Sequence, residues 1–231
     1  MIKNEIVQFV TEDKHLLNFE ECLPKTANKF IPQWWRDIPA NIPGTVKRCP
    51  SFSDIFSIGY VLPMWSDVRL SYDGLDWNWQ IADSNYKVEV HDNNQFLDYA
   101  NKYIDSPDNK FIFKLVSPWS IITKPGWSVL QIPLFYNFNN DFQIMSGIID
   151  SDIYHELNIQ VLYQSKKDFI EIKRGDPLCL YVPIKRDYGT FSFREQTIKD
   201  TDKIQIAKRY AKGTFYKNIA YRTLQRKRDS R

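Results

Sequence analysis

The chain has 231 residues, 43% of them hydrophobic, enough apolar material to bury a core and too much for a disordered segment. Its three cysteines, Cys22, Cys49 and Cys179, show no CxxC spacing, which argues against a disulfide framework or a structural zinc site. The net charge of +3 is unevenly placed: ten Lys and Arg from Lys203 to Arg231 face only Asp229, leaving the remainder near −6.

In chain order, MIKNEIVQFVTEDK lacks a basic stretch followed by an apolar run, so no signal peptide is expected. No segment reaches the roughly 18 apolar residues of a membrane span. A cytoplasmic protein is expected, in the host cytoplasm if the origin is viral. Glu5 to Phe9 alternates as a first strand. The three prolines of FIPQWWRDIPANIP forbid a long helix or a central strand there, but a short helix around Gln33–Asp37 fits between them. Pro50 at a first turn, with Phe52, Ile55 and Phe56 at helical spacing, predicts a second short helix closed by Gly59.

Beyond Gly59 the period falls to two. Tyr60–Pro63, Asp67–Tyr72 and Trp77–Ile81 alternate, and Asp73-Gly74 marks a hairpin between the last two. Phe96–Tyr103 reads as a loop or short helix. From Phe111 to Arg186 short β-prone runs follow one another: Phe111–Val116, Ser120–Thr123, Ser128–Pro133, Gln143–Ile149, Ile159–Tyr163 and Pro177–Pro183. Polar turns such as Lys124-Pro125-Gly126 and Arg174-Gly175-Asp176 separate them. Strands without helices between them predict a mainly β fold, an antiparallel β-sandwich or jelly roll. After Asp200 the pattern turns helical and basic, with Gly213 between two helices. One domain over 1–231 is expected, its β core at about 60–187 and its helical segment at about 200–229.

The phrases IPQWWRDIP, VKRCPSFSDIFSIGYVLPMWSDV, SPWSIITKPGWSVLQIPL, GIIDSD and IKRGDPLCLYVPIKRD resemble a family of phage and bacterial proteins classed as a domain of unknown function. The resemblance spans about Phe30 to Asp187 and implies a β-rich single domain, without a reaction. Locally, GIIDSDIYHELNIQVLYQSKKDFIEIKRGDPLCLYVPI is similar to the third motif and following strands of trimeric dUTPases. That resemblance implies that Asp150 stands where a carboxylate orients attacking water. Ile153 occupies the place of the nucleoside-stacking tyrosine, with Tyr154 one position late, and His155 or Glu156 replaces a glycine. Met145-Ser146-Gly147 lacks the arginine of the phosphate motif, and no glycine-rich arm follows.

Three groups of residues are candidates for chemistry. Asp150 and Asp152, two apart, share a face if extended, and with His155 they form D-x-D-x-x-H, which suits a divalent metal; a further ligand such as His91 would have to come from another strand. The bland alternative is a turn whose aspartates accept backbone N–H groups. Cys49 follows Lys47 and Arg48 at a helix start, a setting that favours a thiolate. Seven tryptophans line a pocket or fill the core, and Trp77 and Trp79 share one face. The expected ligand-binding region is a sandwich mouth flanked by Trp119, Asp150, Asp152, Tyr154 and Arg186.

A small-molecule-binding β-sandwich of viral or bacterial origin follows as the leading functional expectation, with enzymatic activity left open. One alternative is a structural or host-interaction protein of a virion, which would show a defined assembly insensitive to Asp150 and Asp152. Another is a nucleotide or nucleic-acid binder with dUTPase-like strands, its basic C-terminus contacting phosphates. Salt-dependent binding to DNA, RNA or dNTPs separates it from the others. No membrane partner is expected, and the oligomeric state is open.

Overall fold

A computed structural model describes residues 5–39, 42, 44–90, 111–187, 189–212 and 226. The chain divides into two compact units, one of Met1–Phe30 with Ile58–Asp187, the other of Ile31–Ser57 with Tyr188–Arg231.

The first unit is built of antiparallel strands in three sheets. In one sheet, β1 (Val7–Thr11) and β6 (Lys87–Val90) pair with opposite ends of the same edge of β7 (Phe111–Thr123), whose other edge carries β11 (Glu156–Tyr163) and then β9 (Phe142–Ile144). A second sheet runs β10 (Gly147–Ile149), β8 (Trp127–Ile132), β13 (Pro177–Lys185), β3 (Tyr60–Pro63) and β2 (Lys25–Thr26). The third is small: β12 (Ile170–Ile172), β4 (Val68–Tyr72) and β5 (Trp77–Ile81). The fold is therefore the mainly antiparallel β-sandwich that the sequence predicts. The Gln143–Ile149 run, expected as one strand, is two: the chain leaves the first sheet after Ile144 and enters the second at Gly147.

Alternation sets the inner faces. Phe111, Phe113, Leu115, Trp119 and Ile121 of β7 and Leu157, Ile159, Val161 and Tyr163 of β11 are buried. They join one core with Leu62, Val68, Leu70, Val129, Cys179 and Tyr181. Each such large apolar side chain contributes about 1.5–3 kcal/mol by leaving water. Tyr181 keeps its hydroxyl satisfied by donating to Gln131 Oε1 at 2.8 Å. Gly59 enters β3 at φ +76°, and a Cβ there would stand 2.4 Å from the Tyr181 carbonyl oxygen, so only glycine fits.

Pro118 breaks the pairing of β7 with β11. Glu156 lies opposite Ser120 and Asn158 opposite Val116, so β7 spends two extra residues where β11 advances by two. Proline has no N–H to offer the ladder, and such positions become bulges. The local bond from Trp119 N to Ser117 Oγ, 3.0 Å, replaces the lost pairing.

In the second unit, α1 (Gln33–Asp37) and α2 (Pro50–Asp54) are short. Trp35 is buried, edge-on to Phe56 at 4.9 Å. Lys47 Nζ donates to the carbonyls of Arg36 and Ile38 at 3.0 and 2.8 Å, satisfying acceptors that the end of α1 leaves open. The third helix, α3 (Ile198–Lys212), opens on a reciprocal cap. Thr197 N donates to Asp200 Oδ2 at 2.9 Å and Asp200 N to Thr197 Oγ1 at 3.3 Å. The helix expected beyond Gly213, the Phe96–Tyr103 segment and His91 lie outside the described residues. No helix among the described residues is long and apolar enough to cross a membrane.

Candidate functional site

Asp150 and Asp152 sit in the turn that follows β10, where Ile153 N and Tyr154 N both donate to the Asp150 carbonyl at 2.9 Å. They converge on Arg186, just beyond β13. Asp152 Oδ1 accepts from Arg186 Nη1 at 2.9 Å, Asp152 Oδ2 accepts from Nη2, and Gly126 N adds a third bond at 2.9 Å. This bidentate contact, with the Gly126 amide, lowers the Asp152 carboxyl to about 2. Asp150 Oδ1 accepts from Ser128 Oγ at 2.6 Å and lies 3.1 Å from Arg186 Nη1. The Ser128 hydroxyl, and after it Arg186, hold that carboxyl below its usual range. The Asp150 side chain is 50% exposed, against 8% for Asp152. Among the described residues Asp150 Oδ2 takes no hydrogen bond.

One guanidinium thus faces two carboxylates, and the cluster keeps a net negative charge. It suits a hydrogen-bond donor or a cation. His155 turns elsewhere. Its Nδ1 lies 3.0 Å from the Ser151 carbonyl and 3.3 Å from that of Ile121; two carbonyl neighbours require the proton on Nδ1. Among the described residues, no three His, Cys, Asp or Glu side chains are placed to hold a metal ion. Trp119, 3% exposed, lies in the core and not at the cluster. Cys49 is half-buried, and Lys47 gives its ammonium to the α1 carbonyls noted above.

Tyr154 points the search to a different place. Its hydroxyl donates to Glu156 Oε2 at 3.1 Å and accepts from Asn158 Nδ2 at 3.3 Å. Glu156 and Asn158 line a cavity of about 630 Å³ at the Pro118 bulge. Glu12, Asp13, Tyr86, Lys87, Ser117 and Ser120 complete most of its polar wall. Tyr86 OH donates to Asp13 Oδ2 at 2.7 Å. That bond holds the Asp13 carboxyl low, while burial and then Asp13 push the phenol up. At neutral pH the wall therefore carries an ionised Asp13 beside a protonated Tyr86. These wall residues come from four separated segments.

No family model and no curated protein matches the chain. Solved structures similar to it are dUTPases. A variant of the dUTPase from phage phi11 of S. aureus has 11% identity and a TM-score of 0.36, over 84% of this chain and 99% of that one. A variant dUTPase of Staphylococcus bacteriophage 80alpha has 12% identity and a TM-score of 0.36 over the same shares. The native EIAV dUTPase has 10% identity and a TM-score of 0.34, over 61% of this chain and 85% of that one.

Proposed function

We propose that the chain is a small-molecule-binding β-sandwich protein whose ligand enters the cavity at the Pro118 bulge. The observation that carries this reading is the bulge-opened cavity itself. Its volume of about 630 Å³ falls in the range of ligand sites, roughly 300–1,000 Å³. Glu12, Asp13 and Glu156 outnumber Lys87 on its wall, so the ligand is neutral or cationic and rich in donors, such as a polyol or an amine. Tyr154 acts from the rim by orienting Glu156 and Asn158.

Calorimetric titration of the full chain with polyols, amines, nucleosides and nucleotides tests this. Binding by a donor-rich member, weakened about tenfold or more by E156Q and N158A, supports it. A panel without a binder, or binding indifferent to both substitutions, rejects it.

A second reading, a nucleotide-directed site at Asp150, is favoured by that carboxylate's state: ionised, held by Ser128 and Arg186, half-exposed and with one oxygen unengaged. It agrees with the resemblance of GIIDSD to a motif whose aspartate orients water. Its test is hydrolysis and binding of dUTP by the native chain and by D150N. Turnover lost in D150N supports it, and no turnover and no binding by the native chain removes it.

A further inference from the structure

At the side of the sandwich where β9 ends the first sheet, a cavity of about 260 Å³ is walled in part by Pro133, Leu134, Phe142, Ile144, Pro177 and Leu178. No charged side chain among the described residues lines it. Phe138 belongs to the same wall, yet keeps 77% of its surface in water. A large knob thus stands at the rim of an apolar hole. The hole has room for such a knob, since about 150 Å³ of apolar space holds a benzene ring.

The loop that presents Phe138 is strained. Tyr136 is the one non-glycine residue among those described with a positive φ, 57°, where a bulky side chain crowds its own backbone. Its ring lies against that of Phe138, 6.5 Å between centroids. An exposed phenyl ring and a left-handed tyrosine both cost free energy in the isolated chain. Burial of the ring against another surface offsets that cost. β9 adds a free edge beside it. Asp141 O accepts from Gln164 N and Met145 N donates to Gln160 O, so alternation turns the peptide groups of Phe142 and Ile144 away from β11. No charged residue of β9 guards this edge.

We propose that this face is the contact between two copies of the chain related by a two-fold axis, with Phe138 of each copy seated in the other's cavity. Knob and hole lie on one patch, so reciprocal filling closes the assembly at two. A two-fold contact also sets a surface against itself, and any charge on it meets its own sign. From Pro133 to Ile149 the single charged residue is Asp141. It is already neutralised by Lys167 Nζ at 2.6 Å and accepts from Ser165 Oγ at 2.8 Å. In a chain with 26% charged residues, that neutrality suits the chain's own copy and gives a basic or acidic partner nothing to select. A specific interface takes about 20–30 residues a side. This run with Pro177 and Leu178 comes near the lower figure, so the dimer is a weak one, about micromolar. The inference does not rest on the function proposed above, since none of these residues lines the cavity at the Pro118 bulge.

Sedimentation velocity of the full chain over micromolar to millimolar concentrations tests this. The mass should rise from 27.5 kDa toward twice that value. F138A, which removes an exposed ring and leaves the core intact, should weaken association about tenfold or more. Q143R, which sets a charge on the exposed part of the wall, should do the same. F191A, at a ring 92% exposed in the second unit, should leave association unchanged. A chain that stays monomeric overturns the proposal, whether or not it takes up a small apolar probe such as benzyl alcohol. So does a trimer, a dimer indifferent to F138A, or equal loss in F191A.

Discussion

Arg186, one residue beyond β13, holds both oxygens of Asp152 in the turn beyond β10. The contact ties together three strand ends of the second sheet, because Gly126, in the turn before β8, donates to the same carboxylate. Asp152 is therefore first a clip and only then a candidate ligand.

Its titration has a defined direction. Folding lowers the Asp152 carboxyl from 3.8 to about 2, so as pH falls the unfolded chain takes up the proton first. The clip's contribution is complete above about pH 4 and is lost as pH falls toward about 2. D152N should lower Tm at pH 7 and narrow the difference from the native chain near pH 2. Thermal melts across that interval measure it, and a constant difference would contradict the assignment.

Y86F should cost about 1 kcal/mol, the typical net worth of one hydrogen bond, through loss of the Asp13 contact. Denaturant midpoints at pH 7 check the figure. The penalty should shrink as pH falls below the usual carboxylate range and Asp13 takes up a proton.

G59A should be among the more damaging single changes outside the core side chains. A left-handed φ and a 2.4 Å approach to the Tyr181 carbonyl imply a loss of at least about 2 kcal/mol. Equilibrium unfolding measures it, with G126A as a contrast: its φ is also positive but a Cβ there meets nothing within 4 Å.

Thiol labelling should separate the cysteines. Cys22 and Cys179 are buried, and burial pushes the Cys179 thiol up to about 12. Mass spectrometry after brief alkylation of the native chain should find Cys49 modified first. The other two should follow only on unfolding.

The β11 and β13 runs were legible because alternation and turn residues agree there, whereas β7, expected as the two runs Phe111–Val116 and Ser120–Thr123, is one strand that carries Pro118 as a bulge. Gln143–Ile149 misled because its apolar pattern continues across Met145 while the pairing partner changes from β11 to β8; periodicity reports a face and not a neighbour. Ile170–Ile172 and Lys87–Val90 escaped notice because three or four residues among charges carry too little pattern. Asp150 and Asp152 do converge, but through a turn and a distant arginine and not along an extended strand. The larger cavity was illegible because its wall is assembled from four segments spread between Glu12 and Asn158.

Tyr86 lines both the cavity at the Pro118 bulge and a smaller one of about 240 Å³ bounded in part by Phe19, Trp65 and Arg174. A side chain common to two chambers cannot be displaced by the contents of one without reshaping the other. Two ligands that each move it would be thermodynamically linked, and the factor by which the first alters the affinity of the second must equal the factor in return. The bond from Tyr86 to Asp13 sets the resting position from which either displacement is measured.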